Sequence, residues 1–294
     1  MDCAVACIAG GRAIRPVCRA LGVSRSHVLV LIRREPDWQD QRKTIHVTDD
    51  RAILADIRQV IDRSGSYGYR RVWGTLRNIG AAGRLQLVNH KRVYRVMRDH
   101  ELLLYRQGMR PASQRRHDGK VAVKASDRRY CSDGLEIGCD NGEKVRIAFA
   151  LDCCDREVMS WVATTKGLDA SLIGDLMMQA VEYRFGPGKL PPIPIEWLTD
   201  NGSCYTAQAT RQFAMQLNLK PVTTPVTSPQ SNGMAESFVK TLKRDYAALA
   251  DKPDSATVLQ ALPGWFERYN TEHPHSALKY MSPRMFREKR KLAN

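Results

Sequence analysis

Three acidic side chains occupy positions at which carboxylates commonly support metal-assisted chemistry. Asp200 closes the short apolar run IEWLTD and is followed at once by Asn201 and Gly202. Glu236 lies in the first turn of a predicted amphipathic helix, after a loop rich in Pro, Ser, Asn and Gly. Asp133 stands in the alternating run YCSDGLEIGC, which is typical of a strand. The pattern therefore predicts two carboxylates on strands and one on a helix.

Oxygen ligands without His or Cys are the set that Mg²⁺ and Mn²⁺ prefer. Two such ions ~3.5–4 Å apart can activate a water or a hydroxyl group and stabilise the leaving oxygen of an in-line displacement at phosphorus. Each acid also has a simpler explanation. Asp133 fits a tolerated edge-strand residue, and Asp200 fits an Asx turn. Glu236 fits a first-turn acid that the helix dipole favours.

Two lysines follow Glu236 at helical spacing. Lys240 and Lys243 are four and seven residues further along the predicted helix, on the same face. They are candidates for phosphate contacts, and Lys240 equally fits an ion pair with Glu236. The residues before the helix either contact substrate or only begin the helix; they are Gln230, Ser231, Asn232 and Gly233.

The elements that would position these acids begin near residue 129, where apolar residues change to a period of two. Three strands are predicted in YCSDGLEIGC, KVRIAFALD and EVMSWVAT, with a hairpin signal at Asn141-Gly142. Alternation puts Asp133 on the same side of the first strand as Leu135. Two further strands, IEWLTD and KPVTT, are predicted downstream.

Helices alternate with the later strands. They are predicted over residues 169–183, about 207–217 and about 233–250. Three strands followed by alternating helices and strands is the order of a ribonuclease-H-like α/β fold, a five-stranded mixed sheet with flanking helices. In that arrangement Asp133 lies beside the end of the strand that carries Asp200. The helix of Glu236 crosses the same edge, so the three acids are expected to converge.

Two short helices are predicted near the start of the chain. Residues 11–34 place them around a turn at Gly22, with Ser24 in the N-cap position of the second helix. The outline fits a helix-turn-helix and an ordinary helical hairpin equally well. With the polar linker 35–50, this segment forms the predicted unit 1–50.

Residues 51–125 carry most of the positive charge. They hold 17 Lys and Arg against 5 Asp and Glu, whereas residues 126–294 hold 21 against 20. The net charge of the chain is +15, so a polyanionic partner is expected to bind mainly here. The alternative is a solvated basic linker.

Three helices are predicted in this basic segment. The first covers 51–63, the second runs through YRRVWGTLRN, and Asn89 is in position to cap the third, in which Val93, Tyr94 and Met97 pack inward. They resemble a second helix-turn-helix module, and residues 104–125 extend it as a basic connector. Side chains expected to contact phosphates rather than bases are Arg70, Arg71, Lys91, Arg92, Arg95 and Arg98.

After the predicted catalytic region, 126–252, residues 253–294 form a predicted helical extension. Pro263-Gly264 interrupts a helix predicted over 256–270, so that helix is expected to kink or to start late.

The eight cysteines show no paired spacing that would hold zinc, and adjacent Cys153 and Cys154 fit buried thiols. No run approaches the roughly 18–20 apolar residues of a membrane span. A reducing cytoplasm is the expected compartment, with no membrane contact.

Several segments together resemble one family. SDG around Asp133, LTDNGSCY around Asp200 and SPQSNGMAESFVKTLKRDY around Glu236 are joined by YNTEHPHSALKYMSP at 269–283. With YGYRRVW and VNHKRVYRVM upstream, they resemble the second-frame transposases (OrfB) of the insertion sequence three family, nearest to its insertion sequence two-like branch. The wider resemblance is to retroviral-type integrase catalytic cores. The 35 residues between Asp200 and Glu236 match the family's DD(35)E spacing.

The resemblance implies an integrase core in which Asp133, Asp200 and Glu236 bind two Mg²⁺ or Mn²⁺ ions. It implies cleavage at the terminal inverted repeats of the element and strand transfer by the freed 3′-hydroxyl, without a covalent enzyme–DNA intermediate. Implied partners are double-stranded DNA of the element ends and the target, further copies of the chain in a synaptic complex, and a frameshift fusion to an upstream-frame protein.

Two other functions are compatible with parts of the sequence. A catalytically inactive or domesticated DNA-binding regulator would share the helical segments but would not need all three acids. A ribonuclease H or other nuclease would not need about 125 residues of basic helical modules before its catalytic domain. A retroviral integrase proper would carry an N-terminal His/Cys zinc site, whose spacing is absent here.

Overall fold

The computed structural model describes residues 2–35, 38, 49–81, 83, 88–105, 121–224 and 232–292. The chain forms two compact units, Met1–Asp49 and Asp50–Asn294. Most of the predicted linker and of the basic connector lies outside the described residues, as do Gln230 and Ser231.

The first unit contains three short helices: α1 (Asp2–Ala9), α2 (Ile14–Ala20) and α3 (Arg25–Ile32). They pack around Ala4, Val17, Cys18 and Val28. The sequence predicted α2 and α3, with Gly22 at φ +60° in the turn between them, but not α1. Ser24 occupies the N-cap position of α3 without a capping bond, and its hydroxyl lies 3.2 Å from that of Ser26.

The second unit opens with a helical module made of α4 (Arg51–Arg63), α5 (Tyr69–Ala81) and α6 (His90–Asp99). Ile57, Val72, Val93 and Met97 are fully buried at its centre. The predicted cap of α6 is present, because Asn89 Oδ1 accepts the backbone N–H of Lys91 at 2.9 Å.

Tyr94 does not pack inward as predicted. Its side chain is 41% exposed and meets the ring of Tyr69 edge to face. Position 94 lies about 100° around the helix from Val93, and the inward face of α6 is already formed by Val93, Val96 and Met97.

A five-stranded mixed sheet forms the centre of the second unit. Its strands are β1 (Arg129–Gly138), β2 (Lys144–Asp152), β3 (Val158–Thr164), β4 (Ile195–Thr199) and β5 (Leu219–Thr223). They lie in the order β3-β2-β1-β4-β5, with β1, β2 and β3 antiparallel and β1, β4 and β5 parallel. The predicted five-stranded mixed sheet is therefore confirmed.

Helices cover both faces of this sheet. One face packs against α7 (Ala170–Phe185), α8 (Ser203–Thr206) and α9 (Gln208–Gln216) through side chains such as Ile173, Tyr205 and Ala214. The other packs against α10 (Gly233–Asp245) and α11 (Ser255–Thr271) through Phe238, Leu242 and Phe266. The last helix is α12 (Pro283–Lys291).

The helix that carries Glu236 ends five residues earlier than predicted. Asp245 is its last residue, because Tyr246 leaves the helical region with φ −126° and ψ −67°. Leu249, inside the predicted range of this helix, is 55% exposed and lies in a short 3₁₀ turn, Ala247–Leu249.

The prediction that the following helix starts late is wrong. α11 begins at Ser255, where Asp254 caps it by accepting the N–H of Thr257 at 2.7 Å, and it continues through Pro263 to Thr271. Buried side chains on both sides of Pro263, among them Leu262 and Phe266, offset the hydrogen bond that proline cannot donate. The boundary between 252 and 253 stays a prediction, since α10 and α11 contribute to one apolar cluster.

Several contacts join the helical module to the sheet. Arg71 of α5 donates to the carboxylate of Asp245 at the end of α10, at 2.7 Å. The hydroxyl of Tyr67 and Nδ1 of His273 share a hydrogen bond at 3.0 Å. A Cβ added at Gly74 would lie 2.8 Å from the Cβ of Tyr280, so α5 approaches the loop before α12 as closely as glycine allows.

No helix in the described part of the chain has the length and apolarity to span a membrane.

Candidate catalytic carboxylate site

Asp133 and Asp200 occupy equivalent positions on neighbouring parallel elements. Cys131 of β1 pairs with Leu198 of β4, and each Asp comes two residues later. Strand residues two apart point to the same face, so each carboxylate follows the side of Cys131 and Leu198. Those two side chains belong to the apolar cluster under α10. Both acids therefore belong to the sheet face that α10 covers, next to the carboxyl end of β4.

The first turn of α10 brings Glu236 to this face. Its neighbour Ala235 is fully buried in the same apolar cluster. Asn232, in the N-cap position, donates from Nδ2 to the backbone oxygen of Ser132 at 3.1 Å. The bond fixes the start of α10 against β1, one residue before Asp133.

The three acids share one electrostatic environment. Burial raises the pKa of Asp133 from 3.8 to about 6, and the negative charges of Asp200 and Glu236 also raise it. The backbone N–H of Gly134 donates to Asp133 Oδ1 at 2.8 Å and acts in the opposite direction. A half-buried carboxylate beside two others favours a cation at the same place.

Asp200 and Glu236 also make the simpler local contacts that the sequence allows. Asp200 Oδ1 accepts the N–H of Gly202 at 3.0 Å, which is an Asx turn. Glu236 Oε2 lies 3.5 Å from Nζ of Lys240, whose side chain is 75% exposed. Such an exposed ion pair contributes about 0–1 kcal/mol and gives way readily to a stronger partner.

The three carboxylates are ligands of the type that binds a divalent metal, although the side chains do not surround a common metal position. Within the described residues, no group of three or more His, Cys, Asp or Glu side chains is close enough to hold an ion as it stands. The chemistry still matches Mg²⁺ or Mn²⁺, because Asp133, Asp200 and Glu236 supply oxygen ligands only and the latter two raise the pKa of Asp133.

Sequence reasoning missed two residues that support the site. Ser132 Oγ and the hydroxyl of Tyr205 lie 3.0 Å apart, both buried, and join β1 to the helix after Asp200. A signal was available, since a serine at a buried strand position needs a polar partner. Asn232, which the sequence allowed either as a substrate contact or as part of the helix start, is 3% exposed and bonded to β1.

The predicted phosphate contacts on α10 are open to solvent. Lys240 and Lys243 are exposed on the side of the helix that carries Glu236. Lys243 is near enough to Glu136 to help lower the pKa of that carboxyl, which Lys144 lowers first by a hydrogen bond.

The residues of the helical module that are predicted to contact phosphates differ in exposure and in their acidic neighbours. Lys91 and Arg98 are exposed, Arg98 beside Asp99. Arg92 and Arg95 are half-buried, and each lies 2.7 Å from a carboxylate oxygen of Asp50, at the start of α4. Their position is less open than the helical pattern indicated, because a second helix supplies an acid.

Near the sheet, Arg70 is exposed and donates to the hydroxyl of Tyr69 at 3.0 Å. Arg71 is held by Asp245 and is 27% exposed. The two neighbours therefore differ, since only Arg71 is neutralised by a carboxylate.

The chain matches four family models. Residues 124–229 and 217–283 match models described as integrase core domain, residues 48–110 match an HTH-like domain, and residues 1–37 match the N-terminal domain of the IS2 transposase InsD. Transposase InsD for insertion element IS2A/D/F/H/I/K of Escherichia coli is 52% identical over 290 residues, which cover 99% of this chain and 96% of that protein. Transposase InsD for IS2 on the F plasmid of strain K12 matches to the same extent.

Solved structures resemble the chain more distantly. The HTLV-2 integrase catalytic core domain in complex with magnesium is 15% identical, with a TM-score of 0.40 over 54% of this chain and 95% of that one. The Mos1 transposase catalytic domain with raltegravir and Mg is 17% identical, with a TM-score of 0.38 over 48% and 71%. Scores at this level carry no argument by themselves.

The family assignment rests on the sequence relatives, and it agrees with the sheet order and with the acids that two parallel elements and α10 bring together. Integrase-core membership supports the use of a divalent metal, and the HTH-like match supports DNA binding. With 52% identity over nearly its whole length, the chain belongs to the InsD transposases of IS2-type insertion elements, DDE enzymes with an integrase core.

Proposed function

We propose that this transposase binds the terminal inverted repeats of its element and that Asp133, Asp200 and Glu236 are its catalytic acids. They would serve both donor-strand cleavage and strand transfer. The observation that carries the proposal is the register of β1 and β4, which puts Asp133 and Asp200 level, together with the bond that holds the start of α10 to β1 one residue before Asp133. Three half-buried acids from separate segments lie close enough for Asp200 and Glu236 to act on the ionisation of Asp133.

Both reactions exchange one phosphorus–oxygen bond for another. In cleavage, a water oxygen attacks a backbone phosphorus, the bond to the 3′-oxygen breaks, and that oxygen takes a proton and leaves as a 3′-hydroxyl. In strand transfer, this hydroxyl loses its proton and attacks a target phosphorus, and the 3′-oxygen of the target leaves. One phosphodiester replaces another, so no high-energy cofactor is consumed.

The proposed cofactor is a pair of Mg²⁺ or Mn²⁺ ions held by Asp133, Asp200 and Glu236. When bound, such ions activate the attacking oxygen and stabilise the leaving oxygen. The side chains of this chain orient the reaction. The Asn232–Ser132 bond keeps Glu236 beside β1, and the exposed Lys240 and Lys243 are proposed to contact phosphates of the bound DNA end.

The proposed partners are double-stranded DNA, in the form of element ends and target, and further copies of the chain in a synaptic complex. A frameshift fusion to an upstream-frame protein and a nucleoid-associated location in the bacterial cytoplasm belong to the same proposal. The phosphate contacts proposed outside α10 are Arg70, Arg71, Lys91, Arg92, Arg95 and Arg98.

A strand-transfer assay with labelled oligonucleotides that end in the element's terminal sequence tests the catalytic acids. Asp133→Asn, Asp200→Asn and Glu236→Gln should each reduce cleavage and joining by at least about a hundredfold, because each loses a charged metal ligand. DNA binding should persist. Asp175→Asn, at an exposed position on α7 across the sheet, should leave joining unchanged.

Full joining by any one of the three variants would remove that residue from the catalytic set. If the wild-type protein bound the ends but failed to join them with either Mg²⁺ or Mn²⁺, the chain would instead be a DNA-binding regulator derived from a transposase.

A further inference from the structure

A cavity of about 280 Å³ lies between the helical module and the sheet, away from the three catalytic acids. Its walls come from α5, from the turn between β2 and β3, from α10 and from the loop between α11 and α12. On α10 it is lined by Ser237 and its neighbours, which face about 100° or more around the helix from Glu236. The cavity is therefore separate from the site above but shares a helix with it.

Guanidinium groups dominate the charge of this cavity. Arg70, Arg71 and Arg156 line it, and none of the described lining residues is an Asp or a Glu. Asp245 neutralises Arg71 at 2.7 Å. Arg70 donates to a tyrosine hydroxyl, and Arg156 has no ion-pair partner among the described residues. The excess of positive charge over these walls suits an anion.

One residue of the cavity wall also carries an unsatisfied polar atom. Nε2 of His275 is buried and has no hydrogen-bond partner within the described part of the chain. Burial lowers the pKa of His275 well below its usual range, and the charges of Arg156 and Arg71 lower it further. The ring is therefore neutral at pH 7 and can donate one hydrogen bond from a ring nitrogen. Buried polar atoms without a partner are rare, so a missing ligand is a natural explanation.

Neutral donors complete the walls. Ser237 and Ser276, which carry hydroxyl groups, belong to the lining residues. Arg156 itself is held with φ +61°, in the left-handed region that side chains other than glycine and asparagine seldom adopt. The surrounding structure keeps a long basic side chain in a strained turn, as happens where that side chain has a ligand to meet.

We propose that this cavity binds a phosphate group, with Arg156 and Arg70 as its main cations and His275, Ser237 and Ser276 as neutral donors. Guanidinium groups and hydroxyls are the usual partners of phosphate oxygens. The favoured source is a phosphodiester of bound DNA, an identification that rests on the proposed function. A strand held there would contact α5 and α10 together and so fix its path relative to Glu236.

Inorganic phosphate without DNA tests the cavity directly. A ³¹P NMR titration of the full chain at constant ionic strength should show saturable binding, which Arg156→Gln weakens at least about tenfold through loss of a charge-assisted contact. Arg211→Gln is the matched control, because Arg211 is exposed on α9, across the sheet from α10. Arg156→Lys keeps the charge and should retain most of the binding, and thermal melting checks that each variant folds.

The salt dependence of binding to element-end DNA tests the source. Loss of one phosphate contact lowers the slope of log K against log salt by about 0.9, so Arg156→Gln should show that change and Arg211→Gln should not. If Arg156→Gln loses phosphate binding while its DNA slope stays at the wild-type value, the cavity takes free phosphate and the DNA assignment is overturned.

Two further outcomes separate the two proposals. If Arg156→Gln and Arg211→Gln behave alike in the ³¹P NMR titration and in the salt dependence of DNA binding, the cavity site is overturned. Strand transfer by the wild-type protein would still support the proposed function in that case. Arg156-dependent phosphate binding by a wild-type protein that neither binds nor joins element ends would support the cavity and contradict the proposed function.

Discussion

At the scale of single residues, the proposed catalytic acids work against the stability of the protein. Asp133 is the clearest case, because its surroundings disfavour ionisation and its pKa lies near 6 instead of 3.8. Gly134 supplies one backbone hydrogen bond, but no described cation is paired with Asp133. Such a group is retained for what it binds and not for folding.

Asp133→Asn should therefore raise the free energy of unfolding of the metal-free protein by about 1–2 kcal/mol at pH 7.5. The folded-state pKa is raised, so the cost of Asp133 develops as the pH rises from 3.8 towards about 6 and is complete above that. Urea denaturation with a chelator at pH 7.5 and pH 5 should show a smaller gain at pH 5. Asp175→Asn should show no gain, and a less stable Asp133→Asn at pH 7.5 would contradict the prediction.

The loop after β4 passes close to the carboxylate of Asp200 and limits its position. A Cβ at Gly202 would lie 3.1 Å from Asp200 Oδ1 and 3.4 Å from Cδ2 of Tyr205, so Gly202→Ala should displace the carboxylate. Strand transfer should fall roughly tenfold to a hundredfold, as expected for a misplaced catalytic group. Gly138→Ala, where a Cβ meets nothing within 4 Å, is the matched control in the same assay. Equal activity of both variants would show that Asp200 does not depend on this turn.

At the scale of elements, α10 connects the catalytic face to the helical module. Its first turn carries Glu236, and its last residue, Asp245, accepts from Arg71 of α5. His273 extends the same junction through its hydrogen bond with the hydroxyl of Tyr67. α5 is thus bonded to the helix that carries the proposed catalytic acid Glu236.

The histidines of this junction should make stability depend on pH. Burial is the largest cause that lowers the pKa of His273 and of His275 well below 6.5. Both rings therefore stay neutral in the folded protein and bind a proton in the unfolded protein. Above pH 6.5 the two neutral rings contribute fully to the free energy of unfolding. As the pH falls below that value, this contribution decreases by up to about 1.4 kcal/mol per pH unit for each ring. The double variant Tyr67→Phe, His273→Phe should flatten the dependence of the unfolding free energy between pH 7 and 5.

His100→Gln provides the control for that measurement, because His100 is exposed in the same module. Its pH dependence should match that of the wild-type protein. An unchanged slope in the double variant would mean that His273 is already solvated or protonated in the folded state.

At the scale of the whole molecule, positive charge and catalytic acids lie in different segments. Residues 51–125 have an excess of basic side chains, whereas residues 126–294 are almost balanced. Under the proposed function, long-range attraction of DNA and chemistry at phosphorus belong to separate parts of the chain. Within the basic segment, however, Arg92 and Arg95 also hold α6 to Asp50.

Neutralising Arg92, Arg95 and Arg98 together should weaken DNA binding and flatten its salt dependence. Neutralising Lys91 and Arg98 should flatten the slope by about 1.8 with little loss of stability, since about 0.9 belongs to each phosphate contact. The first combination should also lower the melting temperature, because it leaves Asp50 without its two partners. Binding at several salt concentrations and thermal melting measure the two effects, and an unchanged slope in both variants would place the main DNA contacts elsewhere.

The local pattern of the sequence predicts the architecture and identifies the candidate acids. The change from a helical period to a period of two marks β1 near residue 129, because the two structures expose side chains with different repeats. Parallel neighbours then bring Asp133 and Asp200 level, and an amphipathic α10 brings Glu236 to the same face. Each of these steps depends on local pattern and on general rules of sheet topology.

Features that depend on partners far apart in the chain are visible only in the folded structure. The last turn of α10 ends at Asp245, which is bound by an arginine 174 residues away, and Asp50 takes Arg92 and Arg95 from 42 and 45 residues away. The cavity around Arg156 is formed by four separate segments. Such contacts follow from packing and from charge pairing across the fold, and no periodicity in the sequence encodes them.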